Sequence, residues 1–142
     1  SALARTLMRC YGSNRRAERP FRLALSGVDP GSRVEAALRR HADYDRWAGW
    51  ADISAKPYFE LFRPSSRLVY LSPEGEGVVD GFEGADTVFV LGALSDSKRR
   101  LSGLTREKAD AQGIASARLP IQEHIGLGGG DAVLVVNHVL DI

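Results

Sequence analysis

"VFVLGALSD", residues Val88–Asp96, decides how this chain is read. Val88–Leu94 is apolar on both faces of an extended strand. A strand with one wet face alternates apolar and polar residues, whereas a strand covered by helices on both faces does not. The stretch therefore predicts a central strand of a parallel sheet. Gly92, inside the run, implies close approach by a ligand or another backbone. The exit is unusual, since a lone acid, Asp96, is followed by Lys98, Arg99 and Arg100.

Working outward, the surrounding segments alternate between strand and helix. "RLVYLSP" is a short strand closed by Pro73, and "EGEGVVDGFEGAD" is a loop with one turn of helix. "TREKADAQG" reads as a helix with Thr105 as N-cap, Glu107 in its first turn and Gly113 just past its end. "ASARLPI" is a strand broken by Pro120, "QEHI" a helical turn, "GLGGGD" a flexible loop and "AVLVV" a last buried strand. Asn137 is placed to cap a closing helix. Toward the N-terminus, Leu3, Leu7, Met8 and Tyr11 have helical spacing, with Gly12 as a stop signal. "SNRRAERP" is then a basic loop and "FRLALSGV" an alternating strand. "SRVEAALRRHADYDRWAGW" is a helix running into a looser aromatic segment. "SAKPYFELFRP" is ambiguous, with Pro57 suited to a first helical turn before Tyr58–Phe62. The class is α/β, a mainly parallel sheet flanked by helices. No repeat or linker divides the chain, so one domain, 1–142, is expected. It starts abruptly on a helix and stops early in another, so trimming at both ends is also expected.

Composition narrows the function. The 142 residues are 44% hydrophobic and 26% charged, ordinary for a globular domain. No apolar stretch approaches the ~18 residues of a membrane helix, and no signal peptide is visible, so no membrane role is expected. The single cysteine, Cys10, forms no intrachain disulfide and points to a reducing compartment. His41, His124 and His138 are too scattered for a metal site. The net charge of +1 conceals a split. Residues 1–40 carry nine arginines against three acids, +6, and residues 41–142 carry ten cations against fifteen acids, −5. The basic part is either a nucleic-acid footprint or a solvated helix face.

Several chemistries fail on detail. "GLGGGD" has Asp131 where a dinucleotide fingerprint needs glycine, and it leads into a strand rather than a helix. "ALSGV" lacks the glycines of a nucleophile elbow. Cys10 has core spacing, and Trp47 and Trp50 read as packing anchors. What remains is a set of strand ends: "LVYLSP", "VLGALSD", "ARLPIQE" and "LVVNH". Open parallel sheets bind ligands outside the carboxyl ends of their strands.

In their order and spacing, "VYLSP", "VFVLGALSD", Gly103–Leu104, "GIASARLPIQEH" and "LVVNHVLDI" resemble the tRNA methyltransferases that modify N1 of the purine at position 9, within the SPOUT superfamily. "YGSNRRAERPF" resembles that family's basic N-terminal stretch, and "ARLPIQE" is similar to the vertebrate B-type paralogue. The resemblance covers nearly the whole chain. It implies a C-terminal trefoil knot, which general topology rules would not suggest. It also implies S-adenosylmethionine as cofactor and a monomer; with no targeting signal visible, the nucleus or cytoplasm is expected, and trimming is expected to have removed the family's basic N-terminal extension. Leu71, Gly92, Thr105 and Leu119 match positions lining the cofactor pocket. Val133, Leu134 and Val135 match its floor, and Asp96 matches the proposed general base. Arg15, Arg16, Arg19, Lys98, Arg99 and Arg118 are the candidates for tRNA phosphates. The chain departs from the family at Ala93, Ser95 and His124, which bears on substrate preference. The implied activity is guanine N1 methylation. The alternatives are adenine N1 methylation at the same position and a non-catalytic RNA-binding scaffold in a tRNA-processing complex.

Overall fold

The structure is a computed structural model that describes residues 2–40, 44–49, 51–62, 66–82, 86–92, 103–125 and 139–140. The chain divides into two compact units, Ser1–Leu61 with Val135–Ile142, and Phe62–Leu134. No helix among the described residues is long and apolar enough to cross a membrane.

In the first unit, helix α1 (Ala2–Arg16) buries Ala4, Leu7, Cys10 and Asn14 along one stripe. Arg5, Arg9, Arg15 and Arg16 are exposed. The helix does not stop at Gly12 but runs on to Arg16. The reason is Asn14, only 4% exposed, whose side-chain amide donates to the Phe21 carbonyl at 2.8 Å and accepts from the Phe21 N–H at 2.8 Å. Two such bonds contribute roughly 1–3 kcal/mol, against about 1 kcal/mol for a mid-helix glycine. Cys10 is a core residue, as its spacing suggests.

Strands β1 (Leu23–Ser26) and β2 (Ala51–Ser54) pair in parallel, Leu23 opposite Ala51 and Ser26 opposite Ser54. Strand β2 is not anticipated from the sequence, because "ADIS" is too short and polar to show a period. Helix α2 (Arg33–Arg40) begins with a reciprocal cap. Ser32 Oγ accepts from the Glu35 N–H at 3.2 Å, and the Glu35 carboxylate accepts from the Gly31 N–H at 2.6 Å. A 3-10 segment, Tyr44–Gly49, brings in Trp47. Trp47 joins Ala4, Leu7 and Leu38 in the core and stacks on Tyr11 with ring centroids 5.1 Å apart. It is therefore a packing anchor; Trp50 lies outside the described residues. Helix α3 (Tyr58–Phe62) starts after Pro57, whose carbonyl accepts from the Glu60 and Leu61 N–H groups.

The second unit is a parallel sheet. Its strands are β3 (Arg67–Leu71), β4 (Gly77–Val78), β5 (Thr87–Leu91) and β6 (Ala115–Arg118), in the order β4-β6-β3-β5. Strand β4 lies in the segment read as a loop with one helical turn, of which residues 83–85 lie outside the described residues. Among the described strands, β3 and β6 are interior, and β5 pairs with β3 alone. Strand β3, interior among the described strands, buries Leu68, Val69 and Tyr70; the central place expected for β5 depends also on the strand read at 133–136, which lies outside the described residues. Apolarity on two faces reports cover above and below a strand and says nothing of neighbours at its edges.

Helix α4 (Leu104–Ala111) links β5 to β6 and packs on β6 and β3. Its N-cap is Gly103 at φ 78°, not Thr105, which sits inside the first turn. Its end follows expectation: Gly113 has φ 63°, Ile114 N–H donates to Ala109 O at 2.9 Å, and Gly113 N–H to Asp110 O at 3.1 Å. After Pro120, helix α5 (Ile121–Ile125) opens with Ile121 N–H donating to Leu119 O at 2.8 Å. The "GLGGGD" loop, the strand expected at 133–136, Asn137 and with them the knot lie outside the described residues.

Candidate functional site

The register sets the site. Leu71 lies opposite Leu91 on one side and Ala117 on the other, so β5, β3 and β6 end side by side at their carboxyl termini. Leu71 and Leu119 pack against the buried cluster Val69, Val79 and Ala117 and give that end an apolar floor.

Beyond β3 the chain turns sharply. Ser72 N–H donates to Ala117 O at 2.9 Å, which extends the ladder by one residue. Gly75 N–H then donates to Ser72 O at 3.0 Å, closing a turn in which Pro73 pre-sets the backbone. A side chain at Gly75 would collide with the Ala117 backbone, so glycine is required there. The turn brings Glu74 back onto Ser72, whose hydroxyl donates to the Glu74 carboxylate at 3.1 Å. From α4, the Thr105 hydroxyl donates to Ser72 Oγ at 2.9 Å. Arg106, one residue on, donates to Glu74 O at 3.1 Å and pairs with the Glu76 carboxylate at 2.8 Å. The helix thereby holds the turn through both side chain and backbone.

Gly92 explains itself at this point. A Cβ there would stand 2.9 Å from Thr105 Cγ2 and 3.1 Å from the Tyr70 hydroxyl. Among the described residues, these two side chains stand closest to Gly92. Tyr70 is 3% exposed, and its burial pushes the phenol pKa up, which keeps it neutral.

Of the residues expected to line a cofactor pocket, Leu71, Gly92, Thr105 and Leu119 all stand at this end of the sheet. Val133, Leu134 and Val135 lie outside the described residues, as do Asp96, Lys98 and Arg99. Arg118 is described and is already engaged: its guanidinium binds both oxygens of Glu123, at 2.5 and 3.1 Å. That contact holds the Glu123 carboxyl below, and the Arg118 guanidinium above, their ordinary pKa values. Arg15, Arg16 and Arg19 are exposed at the end of α1 and in the loop after it. Among the described residues no group of three His, Cys, Asp or Glu side chains gathers to hold a metal. The sequence reading missed Tyr70, Ser72, Glu74 and Arg106. The one available signal was the Ser72–Pro73 turn at an otherwise apolar strand end.

The whole chain, residues 1–142, matches the family model described as tRNA (guanine(9)-N(1))-methyltransferase TRM10/TRM10A. It is 34% identical over 148 residues to the tRNA methyltransferase 10 homolog B of both Rattus norvegicus and Homo sapiens, covering all of this chain and 45% of each relative. It is 29% identical to the tRNA (guanine(9)-N1)-methyltransferase of Schizosaccharomyces pombe, covering 46% of that protein. The chain thus spans somewhat under half the length of these relatives. Among solved structures it is similar to the full-length spTrm10–SAH complex, with a TM-score of 0.83 and 28% identity over 99% of this chain and 72% of that one. The fold also matches a dual-specific Trm10 from Thermococcus kodakaraensis, with a TM-score of 0.66 and 20% identity, covering 97% of this chain and 75% of that one.

Proposed function

Because the chain belongs to the tRNA (guanine(9)-N(1))-methyltransferase family TRM10/TRM10A, we propose that its protein methylates N1 of guanine at position 9 of tRNA, with S-adenosylmethionine as methyl donor. The observation that carries this reading is the convergence of Leu71, Gly92, Thr105 and Leu119 at three aligned strand ends. Their chemistry fits the cofactor: an apolar floor suits a flat purine, and a hydroxyl beside it suits the polar edges of a nucleoside. The full-length spTrm10 neighbour was solved with SAH, which agrees with this.

When bound, S-adenosylmethionine supplies an electrophilic sulfonium methyl. The protein's own residues must bind, orient and deprotonate. Guanine N1 carries a proton, and its lone pair becomes available as that proton leaves. We assign its removal to Asp96, which follows the end of β5 in sequence. A free aspartate has a pKa of roughly 3.9, so service as a base at neutral pH requires a raised value; burial is the kind of change that raises a carboxyl, and a nearby cation the kind that lowers it. Position 9 lies in the folded core of tRNA, so the base must be displaced to react. Phosphate contacts then supply most of the affinity, from Arg15, Arg16, Arg19, Lys98, Arg99 and Arg118. We further propose a monomer, in the nucleus or cytoplasm.

Two measurements test this. Calorimetry with S-adenosylmethionine is expected to show binding; a protein that binds tRNA but not the cofactor is a scaffold, which contradicts the reading. An Asp96→Asn protein that still binds tRNA and cofactor is expected to lose about 10²–10⁴-fold in rate on guanine. A rate equal to wild type would remove Asp96 as the base.

A further inference from the structure

We propose that Ser72 and Glu74 are positioning residues that hold the Thr105 hydroxyl as an acceptor-only group, so that the cofactor meets Thr105 through one of its own hydrogen-bond donors. This rests on the reading of the strand-end site as a cofactor pocket and deepens it. The direction of the hydrogen-bond chain decides the point. The Ser72 hydroxyl donates to the Glu74 carboxylate oxygen at 3.1 Å, and that contact uses the single proton of Ser72. The Ser72–Thr105 contact at 2.9 Å must then use the proton of Thr105. Thr105 Oγ1 keeps only lone pairs to offer. Ser72, 3% exposed, is shielded from water that could reverse the order. The turn at Pro73 and the Arg106 bond to the Glu74 carbonyl hold the carboxylate side of the chain in place. On the opposite flank, Thr105 Cγ2 abuts the backbone of Gly92. A threonine anchored on both sides cannot rotate its hydroxyl to serve an acceptor. Ligand groups that donate, such as a ribose hydroxyl, an exocyclic amine or an ammonium, are therefore favoured there, and a bare ring nitrogen is disfavoured.

The test is a double-mutant cycle on the full-length protein, read by calorimetry with S-adenosylhomocysteine. Thr105→Val and Ser72→Ala are each expected to weaken binding by about three- to tenfold, as loss of one hydrogen bond predicts. The double variant is expected to be no weaker than the weaker of the two singles, because Ser72 acts only through Thr105. Glu74→Ala paired with Thr105→Val gives the same cycle without touching the buried serine, and Ser72→Thr, which keeps the hydroxyl, is expected to bind as wild type does. Analogues lacking either the exocyclic amine or the ribose hydroxyls identify the donor, since Thr105→Val costs nothing against the one that lacks it. Additive losses overturn the inference alone, as does a Ser72→Ala protein with lowered Tm and unchanged affinity. If the wild-type protein fails to bind S-adenosylhomocysteine, the cofactor-pocket reading falls and this inference with it.

Discussion

Gly92 shows how a single residue can be read correctly in kind while the side chains beside it stay hidden. An interior glycine in an apolar strand implied close approach, and the structure supplies Thr105 and Tyr70 as what approaches. Gly92→Ala is expected to cost about 1–3 kcal/mol through overpacking. Thr105→Ser, which removes Cγ2, is expected to recover part of that loss; urea unfolding of the single and double variants checks both. Arg118 is the second case. Its cationic type marked it for phosphate, yet a sequence does not show that Glu123, five residues on, takes up both ends of its guanidinium. On the proposed footprint, a phosphate would compete with that carboxylate. Glu123→Gln is therefore expected to tighten tRNA binding by about two- to fivefold and Arg118→Ala to weaken it by a similar factor, both at moderate salt. Filter binding across a salt series decides this, and no change in either variant would take Arg118 out of the footprint.

At the scale of elements, the ends are where sequence reading and structure part. The Gly113 stop of α4 was legible because its left-handed backbone is a local property of glycine. The Gly12 stop of α1 was not, because the winning interaction links Asn14 to Phe21, seven residues away. Asn14→Ala is expected to cost about 1–3 kcal/mol by removing both hydrogen bonds to the Phe21 backbone. It also frees the loop that carries Arg19, so the salt dependence of tRNA binding should flatten; an unchanged slope removes this loop from the proposed interface. Helix α2 carries a pH-dependent cap. The Gly31 N–H, and after it Arg39, hold the Glu35 carboxyl below its ordinary value of 4.5. A lowered folded-state pKa means stabilisation that is present above 4.5 and lost as pH falls through the lower folded value. The stability gap between wild type and Glu35→Gln should therefore shrink as the solution is acidified below pH 4.5, which thermal melts across pH can follow. Strands β2 and β4, four and two residues long, left no periodicity to read and exist through their parallel partners.

For the molecule as a whole, the class was legible because two-sided apolarity at Val88–Leu91 and at Leu68–Leu71 demands a covered parallel sheet. Strand order was not legible, since it depends on pairings such as Val69 with Phe89 and Ala115 that no local pattern encodes. The candidate site was legible as a place, the carboxyl ends of the strands, and as four of its residues. Its supporting side chains, Ser72, Glu74 and Arg106, were hidden because polar residues in a turn look alike until their partners are known. The charge split, +6 over residues 1–40 and −5 over the rest, belongs to this scale too and favours a polyanionic partner met by the arginine-rich part. The central claim is that these strand ends serve methyl transfer to tRNA. Incubating the full-length protein with S-adenosylmethionine and unmodified tRNA, then mapping the nucleosides by mass, tests it most directly. The account predicts N1-methylguanosine at position 9, and tRNA recovered without a methyl group at that position would contradict it.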